Sequence, residues 1–267
     1  MAPHGRVLIV AGSDSGGGAG IQGDLKTVTC LGGYGMTAIT ALTAQNTLGV
    51  HGIHPVPPAF IAQQMQLCLS DIGADAIKTG MLHSAEVIET VAANLPEGVP
   101  LVVDPVMVAK GGAPLLAAEA LTAMKTLLIP HATLITPNLP EAEYLLGRPI
   151  RSTEAMQEAA HELLALGARA VLLKGGHAEG AMLTDVLLQE GAAPLLLTTE
   201  RIPTRHTHGT GCTFASAIAT GLAQGMELVA ATRRAHAYVQ AAIAAAPGLG
   251  HGHGPLGHGA ALPLIGA

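Results

Sequence analysis

Gly209-Thr210-Gly211-Cys212 stands directly ahead of an apolar run that begins at Thr213. Glycines let successive backbone N–H groups converge on one point, and a helix N-terminus adds partial positive charge. Gly209, Thr210 and Gly211 therefore read as an anion hole for the charge on a transferring phosphoryl group. Cys212 sits at the same terminus, where thiol pKa values are lowered, and a thiolate there could take the proton of a substrate hydroxyl. The position equally suits a small buried core residue.

Three further groups could share that work. Asp104 ends an apolar run, and Asn138 and Glu141 stand three apart at a helix start. Carboxylates and amides suit Mg²⁺, which takes oxygen ligands and keeps part of its water shell. Asn138 and Glu141 also suit a capping box, with Asn138 as N-cap. Lys174, before Gly175-Gly176, can reach a phosphate or point to solvent. Gln45 follows an apolar strand; its amide donates and accepts, which matches an aminopyrimidine edge, and Met81 could pack on a flat ring. Both could also be ordinary interior residues.

Two familiar nucleotide devices do not apply. Gly18-Ala-Gly20-Ile-Gln-Gly23 matches the dinucleotide fingerprint in form, with a strand before it and a helix after it. The acid expected about 20 residues on is missing, because 27–70 holds no Asp, Glu, Lys or Arg. A Walker loop needs Gly-Lys, and the chain has no such pair. The loop from Gly12 to Gly20 reads instead as a substrate-binding loop, offering Asp14 and, beyond it, Asp24.

The elements that must position these groups alternate. Arg6–Ala11 reads as a buried strand, as do Met36–Leu42, Ala74–Thr79, Leu101–Asp104, Thr133–Thr136 and Ala170–Lys174. Helical patterns separate most of them, with Ser84 and Ser152 as N-caps. Met182–Gln189 and Pro194–Thr199 read as two strands joined near Gly191. This β-α order argues a three-layer α/β/α sandwich with a mostly parallel central sheet. Ligands then bind beyond the carboxyl ends of the strands. That rule selects Gly12–Gly20, Lys78–Met81, Asp104–Val108, Thr136–Glu141, Lys174–His177 and Gly209–Cys212.

At 267 residues, with no long linker or internal repeat, one domain over 1–250 is expected. Charged residues make up only 12% against an ordinary value of roughly 25%, so much of the chain should be buried. The net charge of -6 argues against non-specific nucleic-acid binding. No stretch reads as a membrane span. Three cysteines in no C-x-x-C spacing, and the lack of a signal-peptide pattern near Met1, point to a reducing cytoplasm. Residues 251–267, with His251, His253 and His258, read as a mobile Gly/His-rich tail, with metal binding as the other use of such a composition.

The segments AGSDSGGGAGIQGDLKT (11–27), TALTAQNTLGV (40–50), KTGML (78–82), DPVMVAKGG (104–112), TPNLPEAEYL (136–145), LLKGGH (172–177) and THGTGCTFASAI (207–218) together resemble the hydroxymethylpyrimidine/phosphomethylpyrimidine kinases of thiamine biosynthesis. The Gly-Thr-Gly-Cys signature and the Asn/Glu pair are similar to the wider ribokinase superfamily. The resemblance implies a ribokinase-like fold and transfer of the γ-phosphoryl of ATP to 4-amino-5-hydroxymethyl-2-methylpyrimidine, then to its monophosphate. It implies Gly12, Asp24, Gln45, Met81 and Val108 as pyrimidine-pocket residues, and Cys212 in the place where sugar-kinase relatives carry a catalytic Asp. It implies Asp104 and Glu141 as Mg²⁺ positions, Lys174, Asn138 and Thr210 as nucleotide positions, and a homodimer. Gly23 stands where Ala is usual and His206 where Asn is usual. Pyridoxal, another flat ring with a hydroxymethyl group, is the alternative substrate, and a non-catalytic pyrimidine-binding protein is the alternative class.

Overall fold

The computed structural model describes residues 5–107, 118–176 and 180–261. Nine strands form one sheet: β1 (Arg6–Asp14), β2 (Tyr34–Asn46), β3 (Gly49–Pro55), β4 (Ala76–Thr79), β5 (Leu101–Val103), β6 (Leu134–Ile135), β7 (Ala170–Leu173), β8 (Met182–Gln189) and β9 (Leu195–Glu200). Their spatial order is β3-β2-β1-β4-β5-β6-β7-β8-β9. From β2 through β7 every pairing is parallel; β3, β8 and β9 add antiparallel edges.

The helices are α1 (Gly20–Cys30), α2 (Pro58–Asp71), α3 (Ala85–Ala93), α4 (Ala118–Ala123), α5 (Leu139–Leu146), α6 (Thr153–Leu164), α7 (Thr210–Ala223) and α8 (Leu228–Ala244). Alternation along β1 divides them into two layers, because successive side chains leave opposite faces of a strand. Leu8 and Val10 pack with Ile61 of α2, Ile88 of α3, Leu145 of α5 and Leu163 of α6. Val7 and Ile9 pack with Val28 of α1, Ile218 of α7 and Val239 of α8. The expected three-layer sandwich is therefore present.

The caps follow the sequence. Ser84 Oγ accepts from Val87 N–H and Ser152 Oγ from Ala155 N–H. Strand β3 was not legible. GVHGIHP has no alternating apolar pattern, and most of the strand is exposed at the sheet edge. Two ladder irregularities bear on function. One lies between Ala11 and Ser13, the other at the Ala44/Gln45 step. Bulges of this kind re-aim side chains near functional sites.

Candidate active site

The strand ends and the start of α7 enclose a cavity of about 720 Å³. All six segments selected from the sequence contribute to its wall. Val108 and His177 lie outside the described residues.

One end carries the residues expected to read a ring. Gly12, Gln45 and Met81 all face the cavity. A Cβ on Gly12 would lie 2.5 Å from the Met81 methyl, so glycine there leaves the methionine its place. Met81 is held from behind by Thr40, whose hydroxyl donates to the Met81 carbonyl at 2.7 Å.

The other end carries charge. Lys174 Nζ bonds Asp104 Oδ1 at 3.0 Å, and the Thr136 hydroxyl donates to the same oxygen at 3.1 Å. Asp104 Oδ2 looks toward α7, since a Cβ on Gly211 would lie 3.7 Å from it. Asn138 and Glu141 form the capping box: Asn138 Oδ1 accepts from Glu141 N–H, and Glu141 Oε2 accepts from Asn138 N–H. That does not remove them from the site, for both line the cavity. Burial pushes the Glu141 carboxyl up to about 7, with Asp104 adding and Lys174 opposing. A buried carboxyl with a raised pKa, beside an Asp104 Oδ2 that has no hydrogen-bond partner among the described residues, is a donor set that favours an incoming cation. Two hard oxygens, short of a full shell, fit an ion such as Mg²⁺ that keeps waters and takes phosphate oxygens for the rest.

Between these ends stands the N-terminus of α7. Gly209 caps it with φ of 85°, and a Cβ there would meet the Gly18 carbonyl oxygen at 1.9 Å. Thr210 turns its hydroxyl onto the Thr207 carbonyl at 2.8 Å and so shapes the turn. Among the described residues, the N–H groups of Gly211 and Cys212 have no acceptor. Free amides at a helix start are an anion site.

Cys212 lines the cavity, but its expected thiolate is corrected by its surroundings. Burial pushes the thiol up to about 12, more than Lys78 pulls it down, and Asp24 and Asp104 add to the rise. The helix terminus does not overcome desolvation here.

Asp24 is also corrected. It is not on the cavity wall, because α1 turns it toward the sheet, where it is fully buried. Its two oxygens bond Lys78 Nζ at 2.9 and 2.8 Å, and Oδ1 accepts the Ser216 hydroxyl at 2.7 Å. Desolvation works against the Lys78 ammonium, but Asp24, then Cys212 and Asp104, outweigh it and raise its pKa. Lys78 closes the cavity floor as a fixed cation. Removing one member of a buried pair strands the other charge. Lys78→Met is expected to cost about 3–5 kcal/mol in urea unfolding, and adding Asp24→Leu should recover much of the loss.

The carboxylate that the first loop does present is Asp14. It accepts from Gly16, Gly18 and Ala19 N–H and lies 2.8 Å from His208 Nε2. Burial opposes the Asp14 charge, but His208 and these amides hold its pKa below the usual value. His208 was missed in the sequence, where its only signal is its place before Gly209.

The expected tail is a third correction. Residues 251–261 are packed against the site. His208 N–H donates to the Gly254 carbonyl, His253 N–H to Thr47, and Gly257 N–H to Ala242. Leu256 and His258 are buried, and His253 reaches the cavity wall. Glycine makes this docking possible, since a Cβ on Gly252 would lie 2.0 Å from the Thr47 carbonyl oxygen. Residues 262–267 lie outside the described part. His206 is not on the cavity wall; it packs under the same segment, near Gly254.

An anion hole set between a ring-sized end and a charged end suits phosphoryl transfer onto a small flat molecule. On a mostly parallel three-layer sheet, that defines a ribokinase-like small-molecule kinase. The sequence model of the phosphomethylpyrimidine kinase family matches residues 14–257, and the chain belongs to that family. It is 58% identical over 96% of its length to the thiamine biosynthesis bifunctional protein ThiED of Geobacter sulfurreducens, spanning 52% of that relative. It is 50% identical to the hydroxymethylpyrimidine/phosphomethylpyrimidine kinase of Streptomyces coelicolor, covering 96% of this chain and 95% of that one. Among solved structures, the pyridoxal kinase of Bacillus subtilis in complex with ADP superposes with a TM-score of 0.89 at 40% identity, covering 96% of this chain and 98% of that one.

Proposed function

We infer that the protein transfers the γ-phosphoryl group of ATP to the hydroxymethyl group of 4-amino-5-hydroxymethyl-2-methylpyrimidine, and then a second phosphoryl to the monophosphate, in the cytoplasm. One observation carries the reading: the N–H groups of Gly211 and Cys212, which have no acceptor among the described residues, lie in the same cavity as Gln45 and Met81 on one side and Lys174, Asp104 and Glu141 on the other. The ring sits against Met81 with its edge on Gln45. The migrating phosphoryl meets the two amides, and Lys174 with Asn138 and Thr210 borders the nucleotide phosphates. Asp104 and Glu141 would hold Mg²⁺, which would supply neutralisation of the donor phosphate charge. The ADP bound by the Bacillus subtilis relative supports the nucleotide assignment.

Mass spectrometry of products from the free pyrimidine, ATP and Mg²⁺ tests both steps, with mono- and diphosphate as the expected sequence of masses. The likeness to a solved pyridoxal kinase supports pyridoxal as a second substrate. A higher kcat/KM for pyridoxal than for the pyrimidine would reverse the assignment, and no transfer to either would leave only a binding protein.

A homodimer fits the exposed apolar residues Leu42, Leu48, Ile53 and Phe60 around the β2–β3 hairpin and α2. Light scattering after gel filtration should give twice the chain mass, and Ile53→Glu should shift it toward the monomer.

A further inference from the structure

We propose that Asp14 and His208 are positioning residues that fix the terminal amide of Gln45 with its oxygen toward His208 and its nitrogen toward Thr43, and so decide how the substrate ring is oriented. This rests on Gln45 reading the ring.

Counting protons carries the argument. Asp14 accepts from three backbone N–H groups, at 2.8 Å from Gly16, 3.1 Å from Gly18 and 2.9 Å from Ala19. A carboxylate so placed is ionised and only accepts. His208 Nε2, 2.8 Å from Asp14 Oδ2, must then carry the proton and donate it. That nitrogen is also 3.1 Å from the Gln45 terminal atom placed as Nε2, and the two ends of an amide are told apart only by the hydrogen-bond partners they meet. An N–H cannot accept from an amide N–H, so the amide atom facing His208 is the oxygen, sharing the same proton.

The far end gives the same answer independently. Thr43 Oγ1 has one hydrogen, and the Ser13 carbonyl at 2.9 Å can only accept it. The Gln45 terminal atom 3.2 Å from Thr43 Oγ1, placed as Oε1, must therefore donate, so a half-turn of the amide puts the nitrogen there. Both neighbours select one orientation out of two. What is left for a ligand is one lone pair on the His208 side and one N–H on the Thr43 side. An aminopyrimidine edge meets it with the exocyclic amine toward His208 and the ring nitrogen toward Thr43; the reverse setting opposes donor to donor.

Steady-state kinetics of the full chain with the free pyrimidine and ATP tests this. His208→Phe leaves the backbone bonds of Asp14 in place and removes the imidazole proton. It should raise KM for the pyrimidine about tenfold, the worth of a hydrogen bond near 1.4 kcal/mol, with KM for ATP held. Gln45→Leu should raise the same KM, and the double variant should be no worse than Gln45→Leu alone, because residues acting through one group do not add. Additive losses, or an ATP KM that moves equally, would overturn the proposal by making His208 a packing residue. A Gln45→Leu enzyme with unchanged pyrimidine KM would instead remove the reading beneath it. Long-range ¹H–¹⁵N NMR of the wild-type protein gives a separate readout: a proton on His208 Nε2 is expected, and an unprotonated Nε2 overturns the proposal.

Discussion

Cys212→Ala should lower kcat for pyrimidine phosphorylation by about 10²- to 10⁴-fold, the span of a lost general base, while the folded chain keeps its unfolding midpoint. The reason lies in what else surrounds the cavity. Lys78 and Lys174 are cations whose pKa values are raised, so neither can take a proton near neutrality. Asp104 gives Oδ1 to Lys174 and Thr136 and leaves Oδ2 for a cation, and Asp14 is committed to His208 and three amides. Glu141 also lines the cavity, but its carboxylate is tied to the Asn138 N–H in the capping box, so Cys212 is the acceptor at the start of α7 itself. Its resting form follows from burial, which sets the thiol near 12. At pH 7 the thiolate is then on the order of 10⁻⁵ of the enzyme. The base is the deprotonated form, so its fraction grows tenfold for each pH unit gained below that value. Wild-type kcat should climb with pH at close to unit slope between about pH 7 and 9, and the alanine variant should lose that slope. A pH-independent wild-type kcat, or an alanine variant with near-normal turnover, would return Cys212 to a packing role.

Gly209→Ala should slow phosphoryl transfer by on the order of 10²-fold and lower stability together. A φ of 85° costs an L-residue roughly 1–2 kcal/mol, before any contact is counted. The contact is the larger effect. The new methyl would stand 1.9 Å from the Gly18 carbonyl oxygen, and a backbone atom cannot swing aside as the end of a side chain can. Relief requires α7 to draw back from the first loop, which moves the Gly211 and Cys212 amides off the phosphoryl position. Misplacing such a group by about 1 Å costs on the order of 10²-fold in rate. Thermal unfolding and single-turnover transfer measured on one preparation check both effects. Gly211→Ala makes a graded comparison, because its methyl would meet side-chain ends rather than backbone: the Lys174 ammonium at 3.2 Å and Asp104 Oδ2 at 3.7 Å.

The sequence made the parallel strands legible because their apolar runs are short and bounded by glycine, proline or acids. It located the cavity because a parallel sheet has only one edge at which ligands collect. Distance along the chain hid the rest. Asp24 follows a glycine-rich loop in the sequence and so reads as a ligand contact; nothing local indicates that Lys78 and Ser216 surround it. The lowered thiol pKa followed from a helix terminus alone, whereas the outcome depends on desolvation and on Asp24 and Asp104, far away in sequence. Strand β3 carries no periodic signal, since it is an exposed edge. The His-rich segment reads as a tail because glycine usually marks freedom, yet here Gly252 and Gly257 serve close contact with the carbonyls of Thr47 and Ala245.

The pairing of His208 with Pro255, and of His253 with Thr47, joins three distant stretches of chain. The order of biosynthesis then matters. A nascent chain still attached to the ribosome can lay down strands β1 through β9 and begin α7, but the turn ahead of Gly209 has its partner only after residues 253–255 have left the exit tunnel. Catalytic competence is therefore acquired only once residues 253–255 have been made, and a message truncated just past α8 would leave the turn ahead of Gly209 without its partner.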